Sequence, residues 1–317
     1  MMRTPPGRPR RNAVRGGVLT LVALAAATPL ALGAAAAGDD ASAASAAAAG
    51  PPNVAGATLA ITTRDAAGGR FAMTAPAVTR GGLVKLVFKN ASKTPHEAQL
   101  VRLGGRHSAR EALAILTAEE PTAIPAWLRV AGGAGSTGPG RSTTTVLNLP
   151  PGRYGVLDLG GAGPSPSLTG AIATFRVTPG RRGALRGAAA TIVAHDATGA
   201  TPRNRFTVSG LKLGHNRLRF RNTGREIHHA ILFPMLPGRT LGDVQQAFAA
   251  QGPPAGPPPV DFAGSAGTAA LDADGAEVTD LVLRSPGRYA LVCFIANRDG
   301  KGRPHFLDGM LKEVVVR

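Results

Sequence analysis

The chain has 317 residues, a formal net charge of +17 and 44% hydrophobic residues, so it is long enough to bury a substantial core in two domains of ordinary size. Its 42 glycines and 26 prolines exclude a wholly helical protein and favour a turn-rich β architecture. The basic charge predicts attraction to acidic proteins or an anionic cell envelope, but no basic run interleaved with aromatic residues accompanies it, so we expect no specific nucleic-acid partner.

The N-terminal segment, residues 1–37, is predicted to be a secretory signal peptide. Its arginine-rich start is followed by an apolar run over residues 18–32 and a row of alanines, and the run is short for a membrane-spanning helix. The pair Arg10-Arg11 leaves twin-arginine export open beside the general secretory route. Residues 38–54 are alanine, serine and glycine without periodicity, which predicts a disordered spacer. We therefore expect an extracytoplasmic protein.

The rest of the chain consists of two copies of one plan, residues 55–178 and 189–317, with a basic, glycine-rich linker at residues 179–188. In each copy an alternating strand ends in an asparagine, and a histidine follows six residues later. These pairs are Asn90 with His96 and Asn222 with His228. The period of two in the next strand directs both histidines toward the core and directs His229 to the opposite face.

Each copy continues with a short helix. Capping signals beginning at Ser108 and Thr240 predict helices over residues 109–118 and 241–250. Proline- and glycine-rich stretches then predict loops, at residues 131–140 in the first copy and 252–259 in the second.

Both copies end with a strand, a Pro-Gly-Arg-Tyr turn and two further strands. The turns lie at residues 151–154 and 286–289. This order predicts an all-β fold of two tandem β-sandwiches, each with one short helical excursion.

Soft metal ligands are concentrated in the second copy. The only cysteine, Cys293, is followed by His305 and Met310, and His228 offers a second imidazole. Thiolate, imidazole and thioether are the ligands that copper selects. Each residue also has an ordinary interpretation as a buried thiol, a core or surface histidine or a packing methionine, and Cys293 could instead pair with another chain.

The first copy lacks three of these four groups. Counting from the shared tyrosine and from the last strand places Asp158 opposite Cys293, Pro166 near His305 and Ala171 near Met310. We therefore expect no metal site in the first copy.

The pattern Asn-x5-His, then Pro-Gly-x-Tyr before Cys, then His-x4-Met preceded by glycine, resembles the cupredoxins, the blue copper proteins of the plastocyanin and azurin group. The resemblance covers residues 189–317 and, in degenerate form, residues 55–178. It implies Greek-key β-sandwiches and one copper in the second copy. It also implies ligand roles, with His228, Cys293 and His305 in a plane around the metal and Met310 as a weak axial ligand.

One spacing departs from the family. Eleven residues separate Cys293 from His305, where the family has two to four. The insert, which we define as residues 297–303, is polar and turn-forming, so it either bulges out as a separate loop or prevents the site from closing.

The resemblance implies a secreted type 1 (blue) copper protein that transfers single electrons or holds copper at the cell surface. The alternative is a metal-free extracellular module for binding or structure. The chain has none of the His-x-His or His-Cys-His segments typical of further copper sites, and no hydrolase or dithiol motif, so we expect no enzyme activity. We expect a monomer with an unidentified redox partner, which the basic charge favours as acidic. Four histidines without ligand spacing are expected to be structural or exposed: His107, His195, His215 and His229.

Overall fold

The computed structural model describes residues 56–118, 122–159, 171–201, 203–250 and 256–317. The predicted signal peptide, the spacer and Pro166 lie outside these residues. The described chain is mostly β-strand. None of its helices has the length and apolar composition needed to cross a membrane.

Residues 56–178, here called the first half, contain nine described strands and one α-helix, α1, which lies between the fifth and sixth strands. The strands are β1 (Ala57–Ala66), β2 (Arg70–Thr74), β3 (Val78–Arg80), β4 (Gly82–Asn90), β5 (His96–Leu103), β6 (Leu128–Thr137), β7 (Ser142–Leu149), β8 (Gly152–Leu157) and β9 (Ile172–Thr178), and α1 is Ala109–Leu116.

Residues 189–317, the second half, contain eight described strands, a helix α2 after the fourth of them, and a 3₁₀ helix before the last. The elements are β10 (Ala190–His195), β11 (Arg205–Ser209), β12 (Gly214–Asn222), β13 (Ile231–Pro234), α2 (Leu241–Ala249), β14 (Ala266–Gly267), β15 (Ala276–Leu283), β16 (Gly287–Val292), the 3₁₀ helix (His305–Asp308) and β17 (Leu311–Val316).

The described strands form three sheets. One sheet of eight strands runs through both halves in the order β11-β10-β12-β15-β7-β4-β1-β2. It is continuous because β15 pairs antiparallel with β7, with Val278 opposite Val146. The first half adds the sheet β3-β9-β8-β5-β6 and the second half adds β14-β13-β16-β17.

Each half has its own hydrophobic core between the shared sheet and its smaller sheet. In the first half, Leu86 and Phe88 of β4 meet Tyr154 of β8, and in the second half Phe220 of β12 meets Tyr289 of β16. Leu86 and Phe88 are fully buried and alternate with more exposed residues, as expected of a strand with one buried face.

Matching positions in the two halves make matching contacts. The hydroxyl of Tyr154 donates to the carbonyl of Pro150 at 2.9 Å, and that of Tyr289 donates to the carbonyl of Ser285 at 2.8 Å. Both tyrosines thus close their Pro-Gly-Arg-Tyr turns from inside the core. Both predicted capping boxes are also present, at the starts of α1 and α2.

The glycine-rich stretch at residues 131–140 was predicted to be a loop, and this is wrong, because most of it belongs to β6. The glycines serve close approach of backbones. A Cβ on Gly133, whose φ is 144°, would lie 2.0 Å from the carbonyl oxygen of Ala98, and one on Gly135 would lie 2.0 Å from that of Gly267. Register shifts between β5 and β6 at this place fit the same crowding.

The two halves are joined by polar contacts as well as by the shared sheet. The buried carboxamide of Gln99 accepts from the amide of Ala270 at 2.7 Å and donates to its carbonyl at 3.1 Å. The segment at residues 179–188, predicted as a linker, lies against both halves. The amide of Leu83 donates to the carbonyl of Arg181 at 2.9 Å, and the side chain of Arg219 donates to the carbonyl of Leu185.

Candidate metal centre

Three of the four predicted ligands meet in the core of the second half. Sγ of Cys293 lies 3.8 Å from Nδ1 of His228 and 3.7 Å from Nδ1 of His305. All three potential ligand atoms lie within 4.8 Å of one another, and this is the one such cluster of His, Cys, Asp and Glu side chains found in the described residues. Each residue is at most 1% exposed.

The backbone explains how a spacing of eleven residues still closes the site. Directly after β16, the carbonyl of Cys293 accepts from the amide of Phe306 at 2.8 Å, and the carbonyl of Ile295 accepts from the amide of His305 at 2.9 Å. These bonds form a stem, and residues 296–304 leave and return through it. The insert therefore bulges out, and His305 is delivered beside Cys293.

His228 is held by a different element. The strand β13 starts only at Ile231, and the backbone of His228 instead forms an isolated β-bridge with Leu271. The amide of His228 donates to the carbonyl of Leu271 at 3.1 Å, and its carbonyl accepts from the amide of Leu271 at 2.8 Å. The side chain of Asn222 donates to the carbonyls of Glu226 and Leu271, at 2.6 and 3.0 Å. This asparagine thus ties down the loop that carries the histidine, which gives the Asn-x5-His spacing its physical reason.

His229, expected on the face opposite His228 as a structural or exposed residue, is half-buried, and its Nε2 accepts from the amide of Phe294 at 2.9 Å. Burial lowers its pKa. His229 therefore supports the backbone next to Cys293.

The fourth predicted ligand, Met310, is fully buried in the same core. Its amide donates to the carbonyl of His305 at 2.8 Å, and its carbonyl accepts from the amide of Cys293 at 3.1 Å. Gly309 before it has a φ of 102°, and a Cβ there would lie 2.3 Å from the carbonyl oxygen of Asn204. This turn requires glycine and brings the backbone of Met310 between two ligands.

Both imidazoles are oriented from their far side. Nε2 of His228 donates to Oδ1 of Asp196 at 2.7 Å, and Nε2 of His305 donates to Oδ1 of Asn297 at 3.1 Å. Such partners orient both rings, so that each Nδ1 is the nitrogen that faces the sulfur.

These two orienting residues were missed from the sequence. Register offers a weak signal at best: Ile192 pairs with Phe220 as Ile61 pairs with Phe88, which makes Asp196 the counterpart of Asp65. Asp65 is exposed, so the position alone does not reveal the role.

The pKa values of His228 and Asp196 are shifted in opposite directions. Burial disfavours the charged imidazole, but hydrogen bonds to Asp196 and Cys293 outweigh it and raise the pKa of His228 to about 9. Burial likewise acts to raise the pKa of Asp196, yet hydrogen bonds from His228 and two backbone amides bring it down to about 2.

The thiol of Cys293 is adjusted in the direction that metal binding needs. Burial alone would raise its pKa, but interactions with the imidazoles of His229, His228 and His305 hold that pKa well below its ordinary range. The thiolate is the form that binds metal.

The donor set fits copper. If the metal's bonds have the lengths known for zinc, about 2.0 Å to nitrogen and 2.3 Å to sulfur, an angle of roughly 120°, as in a trigonal His₂Cys site, would place nitrogen and sulfur about 3.7 Å apart. This matches the separations of 3.7 and 3.8 Å at Cys293. Two imidazoles and a thiolate are also the ligand types that copper selects.

The corresponding place in the first half is filled differently. Nδ1 of His96 contacts the carboxylate of Asp158, which holds the position that corresponds to Cys293. Nε2 lies 3.0 Å from the hydroxyl oxygen of Thr94. Ala171, opposite Met310, is buried in the core. Both ring nitrogens of His96 are thus engaged by protein atoms.

The other histidines lie away from the cluster. His107 stacks on Trp127 with ring centroids 4.0 Å apart, His195 lies 3.2 Å from the hydroxyl of Thr207, and His215 lies 3.2 Å from Asp280.

No protein-family model matches the chain, and no curated protein matches it. Similar solved structures include reduced auracyanin from the photosynthetic bacterium Roseiflexus castenholzii, at 24% identity, which covers 38% of this chain and 97% of that chain with a TM-score of 0.28. A multicopper oxidase at 16% identity covers 82% and 88% of the two chains with a TM-score of 0.22. Copper nitrite reductase from Nitrosomonas europaea, at 14% identity, covers 82% and 94% with a TM-score of 0.22.

These scores carry no argument for a particular activity, but they do correct one expectation. The prediction that the chain has no enzyme activity is wrong, because the similar structures include a multicopper oxidase and copper nitrite reductases, whose names are those of enzymes.

Sheets of mostly antiparallel strands enclose a core, and one His-Cys-His cluster lies where the resemblance implied it. The chain is therefore cupredoxin-like in fold, with a donor set suited to copper in its second half.

Proposed function

We propose that the chain is a type 1 copper protein that transfers single electrons or holds copper. His228, Cys293 and His305 are the proposed equatorial ligands, and Met310 is the proposed weak axial ligand. The observation that supports this most directly is the convergence of two Nδ1 atoms on one buried thiol, at 3.7 and 3.8 Å.

The surroundings of these ligands favour electron transfer. Backbone bonds fix Cys293 relative to His305, and Asp196 fixes the ring of His228. Donors held in this way keep their positions when the charge of a bound metal changes by one, which keeps rearrangement small. When bound, copper would supply the exchange between Cu(II), which imidazole and thiolate stabilise, and Cu(I), which soft sulfur favours.

The domain plan of this proposal is two tandem cupredoxin-like Greek-key sandwiches, at residues 55–178 and 189–317, of which only the second binds metal. Residues 1–37 would direct export, so the protein would act outside the cytoplasm. The rest of the chain keeps a basic net charge without the five arginines of residues 1–37, which favours an acidic redox partner or contact with an anionic envelope, and we propose a monomer.

The test is the addition of Cu(II) to the full chain. An intense visible band from thiolate-to-copper charge transfer is expected, and Cys293→Ser and His305→Ala should abolish it. His215→Ala, which changes an exposed histidine, should leave it intact. A colourless protein that binds Cu(II) weakly would contradict the proposal and favour the metal-free extracellular module.

A further inference from the structure

The insert at residues 297–303 lies against the first half of the chain. The amide of Ile124 donates to the carbonyl of Arg298 at 2.8 Å. A Cβ on Gly300 would lie 2.6 Å from the amide nitrogen of Ala123, so the two backbones are in close contact there. The insert, which makes the spacing longer than that of the family, thus packs against the first half.

Arg298 contacts both halves of the chain. Its guanidinium donates to the carbonyls of Ile124 and Leu128 in the first half, at 3.3 and 3.2 Å, and pairs with the buried carboxylate of Asp272 in the second half. Its amide donates to the carboxylate of Glu226 at 2.5 Å, in the second-half loop that leads to His228. The arginine side chain is only 20% exposed, so these contacts are sheltered from water.

The residue before it, Asn297, orients a proposed ligand. Its Oδ1 accepts from Nε2 of His305 at 3.1 Å, although Asn297 itself is exposed. An exposed side chain gains little from packing, so its position depends on the backbone that carries it. That backbone is fixed one residue later, at Arg298.

We propose that the insert, which Arg298 anchors to both halves, orients the His305 ligand, with Arg298 as the positioning residue and Asn297 as the group that touches the imidazole. The copper part of this inference rests on the proposed function, whereas the orientation of His305 belongs to the metal-free chain. On this view the first half, in whose described residues no ligand cluster is found, contributes to the site in the second half.

The first test needs no metal. Nitrogen NMR of the full chain labelled at histidine should show His305 held with its proton on Nε2. Arg298→Ala should move both ring signals of His305 toward the averaged values of exchanging tautomers, with the spectrum otherwise that of a folded protein. Arg303→Ala, in the exposed part of the same insert, is the matched control and should change neither signal.

A double-mutant cycle separates positioning from general loosening. If Arg298 acts through Asn297, then Asn297→Ala alone should produce the same change at His305, and adding Arg298→Ala should add nothing further. Additive changes would overturn the proposal. If Arg298→Ala does not fold, Asp272→Asn weakens the same anchor, and it should give the same direction of change in smaller size; an unchanged His305 in that variant would also overturn the proposal.

With Cu(II), loss of an outer-shell partner typically weakens metal affinity by about 10 to 100 fold, so Arg298→Ala should weaken binding within that range and shift the reduction potential, whereas Arg303→Ala should do neither. If Arg298→Ala stays coloured and its Cu(II) affinity, reduction potential and His305 signals are unchanged, the positioning role is overturned and the copper proposal stands. A protein that binds no copper but shows the tautomer change would do the reverse.

Discussion

Oδ1 of Asp196 accepts a hydrogen bond from Nε2 of His228 at 2.7 Å, so a carboxylate at the end of β10 turns the opposite ring nitrogen toward Cys293. His228 is fully buried, whereas the side chain of Asp196 is 18% exposed. A partly exposed carboxylate therefore sets the orientation of an imidazole in the core.

Replacing this carboxylate should weaken metal binding. Asp196→Asn keeps an acceptor oxygen but loses the charge that stabilises the imidazole as a donor, so Cu(II) affinity should fall by about 10 to 100 fold. Competition with a chelator of known affinity measures this. Asp274→Asn is the control, since Asp274 is exposed and asparagine tolerates its φ of 58°. Equal affinities in the two variants would contradict the assigned role of Asp196.

Met310→Leu should raise the reduction potential and leave the charge-transfer colour largely intact, because an axial thioether tunes a type 1 site without building it. Protein-film voltammetry and the visible spectrum measure the two properties. Met73→Leu changes a buried methionine in the core of the other half and is the matched control. A potential that does not move would show that Met310 is not axial.

Gln99→Ala should loosen the junction of the halves. The change removes the buried acceptor of the Ala270 amide, and leaving that amide unpaired costs about 1–3 kcal/mol. Urea unfolding of the full chain measures the loss. Gln245→Ala, on the exposed face of α2, should change the free energy of unfolding by about 0.5 kcal/mol or less. The prediction fails if both variants unfold alike.

Glu277 should make stability fall as the pH rises. Burial raises its pKa from 4.5 to about 8, although a hydrogen bond from the amide of Gly133 acts against this. A raised carboxyl pKa means that the folded state holds the proton more tightly. The stabilisation is therefore complete below about pH 4.5 and is lost as the pH passes through about 8.

Glu277→Gln should remove this dependence. Between pH 5 and pH 9 the wild-type chain should lose on the order of a few kcal/mol relative to the variant, in the free energy of unfolding measured by urea. Comparison of the two proteins at pH 5 is the internal control, since Glu277 is protonated there. Parallel pH curves for the two proteins would contradict the prediction.

Much of the candidate site could be predicted because its signals are short-range or repeated. The sole cysteine, the turn before it and the glycine before Met310 all lie in one stretch, and the repeat identified His228 by its distance from Asn222. The helix caps were likewise local, since each uses side chains three residues apart.

What the sequence did not reveal depends on contacts between distant parts of the chain. Asp196 reaches His228 across 32 positions, and Arg298 reaches Ile124 across 174. The glycines of β6 were interpreted as a loop because their reason, close approach to β5 and to Gly267, lies on other elements. Composition records that a residue is small, but it does not record what stands next to it.

The pairing of β15 with β7 has a consequence for handling the protein in pieces. In the whole chain each of these strands has a neighbour on both sides, so neither is an edge. Cutting the chain between the halves would give each piece an exposed edge strand, β7 in one and β15 in the other, and such edges readily pair with strands of other molecules. The first half thus also protects the second half from self-association.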